Sequence, residues 1–195
     1  MNLSTLPKVT AKTADELCKH FPLSDEAKPL LKPQQTPGQL LEALAAKSYW
    51  IDAVRLLAHA LPKREAVWWA LVCARTAHGA NPPPKIAAAL QAAEKWVLDP
   101  SEENRRPAWP AAEAAEIGTP AGCAAVAAFW TGGSLAPPQA PVIPPGEFLT
   151  AQGVAGSVLL AAVLTQPEKA QEKYKQFINT GAEIASGTNR WKGGK

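Results

Sequence analysis

Five consecutive residues, Glu102-Glu103-Asn104-Arg105-Arg106, form the densest cluster of side chains able to act on another molecule. Two carboxylates beside two guanidinium groups could grip an anion or the charges of a protein partner, and Arg suits bidentate recognition. The same spacing has a local use. Acids in the first turn of a helix are favoured by its dipole, and Glu pairs with Arg three or four positions on. If the cluster meets a ligand, recognition of a protein is the chemistry it favours. Trp109, between Pro107 and Pro110, sits where a broken helix would turn an indole outward as an anchor. Glu102, Glu103, Arg105, Arg106 and Trp109 are therefore the candidate protein-binding residues.

A second group, Lys63-Arg64-Glu65, precedes Trp68 and Trp69. A glutamate near indoles can act as a general acid, as in glycoside hydrolysis, but that reaction needs a second carboxylate across a cleft. The plainer reading of Glu65 is a first-turn helix acid. A hydrolase or transferase would have to draw on Glu65, Glu102, Glu103, Arg105, Arg106 and His59, with at least three of them converging in a pocket.

Cys18, Cys73 and Cys123, with His20, His59 and His78, lack ligand spacing, and the step from Cys73 to His78 leaves the helical face. The cysteines read as small buried hydrophobes of a reducing compartment. Thr131-Gly132-Gly133-Ser134 looks like a helix end closed by glycine, not a nucleophile motif. Neither a cofactor nor a metal is expected.

Composition narrows the partners. The 195 residues carry a formal net charge of +3 with no concentrated basic face, which does not imply nucleic acid. The longest apolar run, Val154 to Leu164, is interrupted by Gly156 and Ser157 and is too short to cross a bilayer. No apolar run at the N-terminus resembles a signal peptide, so a cytoplasmic protein is expected.

The elements that must position these residues are helices. Apolar residues make up 47% of the chain, much of it alanine, and 19 prolines fall mainly at helix starts and in connections. Capping residues mark starts at Thr13, Thr36-Pro37, Asp99-Pro100, Thr119-Pro120 and Thr165-Gln166-Pro167. Helices are predicted near 14–21, 25–31, 37–47, 50–61, 63–78, 84–98, 100–116, 120–130, 151–164 and 166–186, with breaks or bends at Pro29, Pro107 and Pro110. Trp50, Ala53, Val54, Leu57 and Leu61 trace one buried stripe, with Asp52, Arg55 and His59 off its centre. The helix at 63–78 is apolar on nearly every side past its first turn, which predicts a place at the middle of a bundle.

The prediction is an all-α, irregular multi-helix bundle with solenoid-like helix pairs. It comprises a flexible segment 1–12, one domain over 13–187 and a mobile tail 188–195 that includes Trp191. A proline-rich connection at 135–149 should run extended, with no room for a tight turn.

Three blocks carry a resemblance: His59 to Ala70 around Pro62-Lys63-Arg64-Glu65, Asp99 to Arg106, and Ala127 to Pro138 around Phe129-Trp130-Thr131-Gly132-Gly133. Together they resemble an uncharacterised family of bacterial domains, over roughly Leu17 to Gly187. Pro107 and Pro110 depart from the family pattern, where small or aliphatic helix formers are expected. The resemblance implies no assigned enzymatic activity and a place among type VI secretion genes, near spike proteins and toxin cargo. The expected function is thus a non-enzymatic adaptor or chaperone-like protein that binds a secreted effector or spike component. The alternatives are an α-helical scaffold of other partners, or a hydrolase or transferase working around Glu65 and Glu102.

Overall fold

A computed structural model describes residues 6–188, which are all-α with no strand among them. The order is α1 (Ala14–Cys18), a 3-10 turn (Lys28–Leu30), α2 (Pro37–Ala46), α3 (Trp50–Ala60), α4 (Lys63–His78), α5 (Pro84–Leu98) and α6 (Glu102–Arg105). Then come α7 (Ala108–Ala114), α8 (Pro120–Phe129), α9 (Leu149–Val163), a second 3-10 turn (Pro167–Lys169) and α10 (Ala170–Ala185).

Capping chemistry accounts for several starts. Thr36 opens α2 with a full capping box: the Gln39 amide donates to its Oγ1 at 3.2 Å, and its own amide donates to Gln39 Oε1 at 2.9 Å. Thr119 accepts from the Gly122 amide at 3.0 Å to open α8. Where the predicted helices differ from the structure, proline gives the reason. Residues 25–31 yield only the 3-10 turn, because Pro29 has no N–H for an α-helical ladder. The predicted 100–116 helix splits at Arg106 and Pro107, and Ser101 rather than Asp99 is its N-cap. Pro110 lies in the first turn of α7, where the missing N–H would have had no partner anyway. Thr165 does not cap the last helix; Gln166 instead adopts a left-handed φ of 46° before the 3-10 turn.

Helix α4 packs against α5, α8, α9 and α10, as a place in the middle of the bundle requires, but the most enclosed helix is α8. Every residue from Pro120 to Phe129 is buried, whereas α4 keeps Trp68 and Val72 half-exposed. Small side chains make this possible. A Cβ at Gly153 would fall 3.0 Å from Ala127 Cβ, so α9 crosses α8 at the distance of two nearly bare backbones. Ser157 ties the pair, its hydroxyl donating to the Pro120 carbonyl at 2.8 Å. Helices α4, α5 and α7 complete the cage around α8; α4 and α5 come to it from far along the chain, whereas α7 is its neighbour in sequence. Neighbours such as α2 and α3 do pair, within a bundle rather than an array.

Two segments expected to be loose are fastened. Leu6 is buried, the Lys8 amide donates to the Ala185 carbonyl at 3.0 Å, and Lys8 Nζ meets Glu65 at 2.5 Å. The proline-rich connection also folds back on itself. Ala140 N–H closes a turn on the Pro137 carbonyl at 3.0 Å, and Leu135 N–H reaches the Ile143 carbonyl at 2.7 Å. Gly187, at φ 98°, ends the last helix, and Thr188 donates to the Glu183 carbonyl. The rest of the predicted tail, Trp191 included, lies outside the described residues. No described single helix is long and apolar enough to cross a membrane.

The cysteines sit apart within this packing. Cys73 is fully buried and its thiol is pushed well above its ordinary range, while burial and the charges of Asp15 and Asp52 raise half-exposed Cys18 to about 11. Burial raises Cys123 as well. At pH 7.5 all three thiols are expected to react slowly with a thiol-specific disulfide reagent, and all three promptly in denaturant. A fast native thiol would contradict this packing.

Candidate functional site

Helix α6 is a single turn whose entry is tied locally. Ser101 Oγ accepts from the Asn104 amide, and Asn104 Nδ2 donates to the Asp99 carbonyl at 3.0 Å and to its carboxylate at 2.8 Å. One turn places Glu102 beside both Arg105 and Arg106. Arg105 Nε and Nη2 grip the Glu102 carboxylate at 2.6 and 2.8 Å, and Arg106 Nε adds a third bond at 2.7 Å. The two guanidinium groups hold the Glu102 carboxyl down to about 2, chiefly through the hydrogen bond from Arg105.

The Arg105 guanidinium does not face solvent, and the Arg106 side chain does so only in part. Arg105 is 3% exposed; its Nη1 donates to the Phe129 carbonyl at 2.5 Å and its Nη2 to the Ser134 carbonyl at 3.0 Å. Its carbon lies 4.6 Å from the centroid of the Phe129 ring, a cation over an aromatic face. Arg106 Nη1 donates to the Ala136 carbonyl at 2.6 Å. Gly133 has φ 63° and touches this group: a Cβ there would fall 2.7 Å from Arg105 Nη2. The glycine expected to close a helix end therefore also makes room for a cation.

These bonds answer a requirement set by the fold. A helix leaves its last carbonyls without helical partners, and α8 ends against protein, with Phe129 buried and Trp130 and Thr131 partly buried. Four successive carbonyls at that end each receive a different side chain. Thr131 Oγ1 donates to Ala128 at 2.7 Å, Arg105 to Phe129, Thr150 Oγ1 to Trp130 at 2.9 Å and Lys63 Nζ to Thr131 at 2.9 Å. Arg64 does the same at the end of α5, with Nε on the Val97 carbonyl at 2.7 Å and Nη2 on Leu98 at 2.9 Å. Cations here also complement the negative ends of the helix dipoles.

The other sequence candidates separate into different environments. Trp109 is not an outward anchor; it is half-buried, with its ring 5.3 Å from that of Phe129. Glu103 is exposed on α6 and outside the clamp. Glu65 pairs with Lys8. His59 lies against Phe21, at 4.8 Å, and Phe148, at 5.9 Å. Its Nδ1 donates to the Arg55 carbonyl at 2.8 Å, and burial lowers its pKa. Glu102, Arg105 and Arg106 do converge, but on backbone carbonyls.

The sequence gives no sign of the role of Asp52, expected only to lie off the centre of the buried stripe of α3. It is 3% exposed and accepts from the Ser24 amide at 2.9 Å and hydroxyl at 2.8 Å, pinning the segment after α1. No spacing rule links residues 28 positions apart. On the last helix pair, α9 and α10, Val154, Val158, Phe177, Ile178 and Ile184 are all buried.

The three sequence blocks meet at this one end of the bundle, through Lys63 on Thr131, Arg105 on Phe129 and Ser134, and Arg106 on Ala136. A family profile described as a family of unknown function, DUF6931, matches residues 40–185, which contain all three blocks. The chain belongs to this family. No curated protein and no solved structure matches it. Within this member, the blocks form a device that seals helix ends and fastens the proline-rich loop.

Acid should loosen the clamp. Because Glu102 is depressed in the folded chain, its contribution is present above its ordinary value of 4.5 and fades as pH falls toward about 2. Wild type and Glu102→Gln should therefore differ most in urea stability above pH 5 and converge toward pH 2. A difference independent of pH would mean that the ion pair is not the source.

Proposed function

We propose that this protein is a non-enzymatic interaction module, an adaptor or chaperone-like holder of another protein. One observation carries the reading. The charged side chains best placed for chemistry, Lys63, Arg64, Arg105 and Arg106, donate to carbonyls of their own fold, while the exposed bulky groups are aliphatic. Ile51, Leu98, Val142, Ile143, Val163 and Leu164 all lie at the surface. Such side chains gain free energy by burial against a partner and have no role in bond-making.

The partner class comes from the family resemblance: a type VI secretion effector or a spike component, met in the cytoplasm before export. The purified protein is expected to co-elute with one such protein encoded near it, at fixed stoichiometry, and its deletion should lower export of that protein. Absence of co-elution with every such neighbour, together with unchanged export, would contradict the proposal.

A further inference from the structure

We propose that the cavity between α3, α9 and the segment after α1 is a binding site for a small aromatic carboxylate. It has a volume of about 300 Å³, at the lower end of the range of small-molecule sites, and no carboxylate lines it. Its polar groups come from three parts of the chain: His20 after α1, Arg55 and His59 on α3, and Gln152 on α9. Phe21 and Leu159 add apolar wall. A guanidinium, an amide and imidazoles around one space that lacks an acid favour an anion.

Arg55 differs from the other described arginines. Arg75, Arg105 and Arg106 each hold a carboxylate, and Arg64 holds two carbonyls. Arg55 makes one long bond, at 3.4 Å to the Pro22 carbonyl, and no ion pair among the described residues. Asp52 and Glu26 line a neighbouring groove with it, yet Asp52 has both oxygens on Ser24 and Glu26 is exposed. The planar fork of Arg55 is therefore left for a carboxylate from outside the chain.

The rest of the cavity sets the ligand's body. The Phe21 and His59 rings lie 4.8 Å apart, and His20 stacks on Phe148 at 3.8 Å. Burial lowers the pKa of His59, so at neutral pH its ring is uncharged and serves as aromatic wall. A flat ring finds rings to pack on there while its carboxylate meets Arg55 and the Gln152 amide. Phosphate suits the cavity less well, because its second charge would need donors where Phe21, Ala155 and Leu159 present carbon. The site does not depend on the protein partner proposed above.

The test titrates the full chain with benzoate, followed by calorimetry and by heteronuclear NMR. Saturable one-to-one binding with a Kd below about 1 mM is expected, with the largest amide shifts at Phe21, Gln152 and Gly156. Arg55→Met keeps the stem and removes the fork, and Gln152→Glu sets a like charge beside the carboxylate. Each should weaken binding at least tenfold. Gln152 is exposed and Arg55 partly so, and circular dichroism with urea unfolding checks that the variants fold. Should Arg55→Met fail to fold, Gln152→Glu decides. Benzamide, neutral and of the same shape, should bind at least tenfold more weakly, and inorganic phosphate should not displace benzoate. Absence of saturation, full affinity in a folded variant, or equal binding of benzamide would overturn the proposal. Displacement by phosphate would overturn it as well, showing a site for anions in general.

Discussion

Replacing Trp69 with alanine is expected to cost about 3–5 kcal/mol of folding stability, a large part of what a domain of this size has. Trp69 is fully buried on α4, and its Nε1 donates to the Phe177 carbonyl on α10 at 2.7 Å. The helices close around it because Gly181 has no side chain. A Cβ there would stand 2.8 Å from Trp69 Cε2 and 2.6 Å from Leu57 Cδ2. Truncation removes the indole that joins α3, α4 and α10 and leaves a cavity whose walls are helix backbones that cannot close it. Urea unfolding followed by circular dichroism measures the loss. A change below about 1 kcal/mol would show that the site can repack, contrary to this description.

Arg105→Met is the second large effect, expected at about 3 kcal/mol, since it removes a buried charge while leaving its acceptors in place. The Phe129 and Ser134 carbonyls would be stranded, and Glu102 would lose its bidentate partner. Had Arg105 been a ligand-binding group, its removal would leave stability unchanged or improve it. Arg105→Lys should recover only part of the loss, because an ammonium cannot reproduce a planar fork that spans a carboxylate and two carbonyls. Equal stability of wild type and Arg105→Met in urea would refute the structural role assigned to the clamp.

What the sequence conveyed, and what it withheld, follows from the range of each interaction. Capping at Thr36 and Thr119, the starts of α4 and α5, and the buried stripe from Trp50 to Leu61 depend on residues within one or two turns, and the structure agrees with them. The prolines at 107 and 110 signalled a broken helix for the same reason. The Glu102 to Arg105 pairing was visible as an i, i+3 spacing. Its purpose was not, because the carbonyls it serves lie 24 and 29 residues away.

The central place of α8 was hidden by composition. Pro120-Ala-Gly-Cys-Ala-Ala-Val-Ala-Ala-Phe129 has little bulk, and only the close approach of α9 shows that smallness at that position serves density. The Asp52 to Ser24 contact and the anchoring of Leu6 are likewise tertiary facts with no local pattern. Proline content correctly removed helix from 135–149, but the turn at Pro137 to Ala140 depends on the base being fastened from outside by Arg106.

The central claim is that the charged cluster seals the end of α8 and fixes the proline-rich loop upon it. Amide hydrogen exchange by NMR on wild type and Arg106→Met addresses it directly, read at Leu135, Ala136 and Ile143, whose N–H groups close the loop's base. The three amides should be protected in wild type and lose that protection in the variant, while α4 and α9 keep theirs. Amides that exchange freely in wild type, or protection unchanged by the substitution, would contradict the claim.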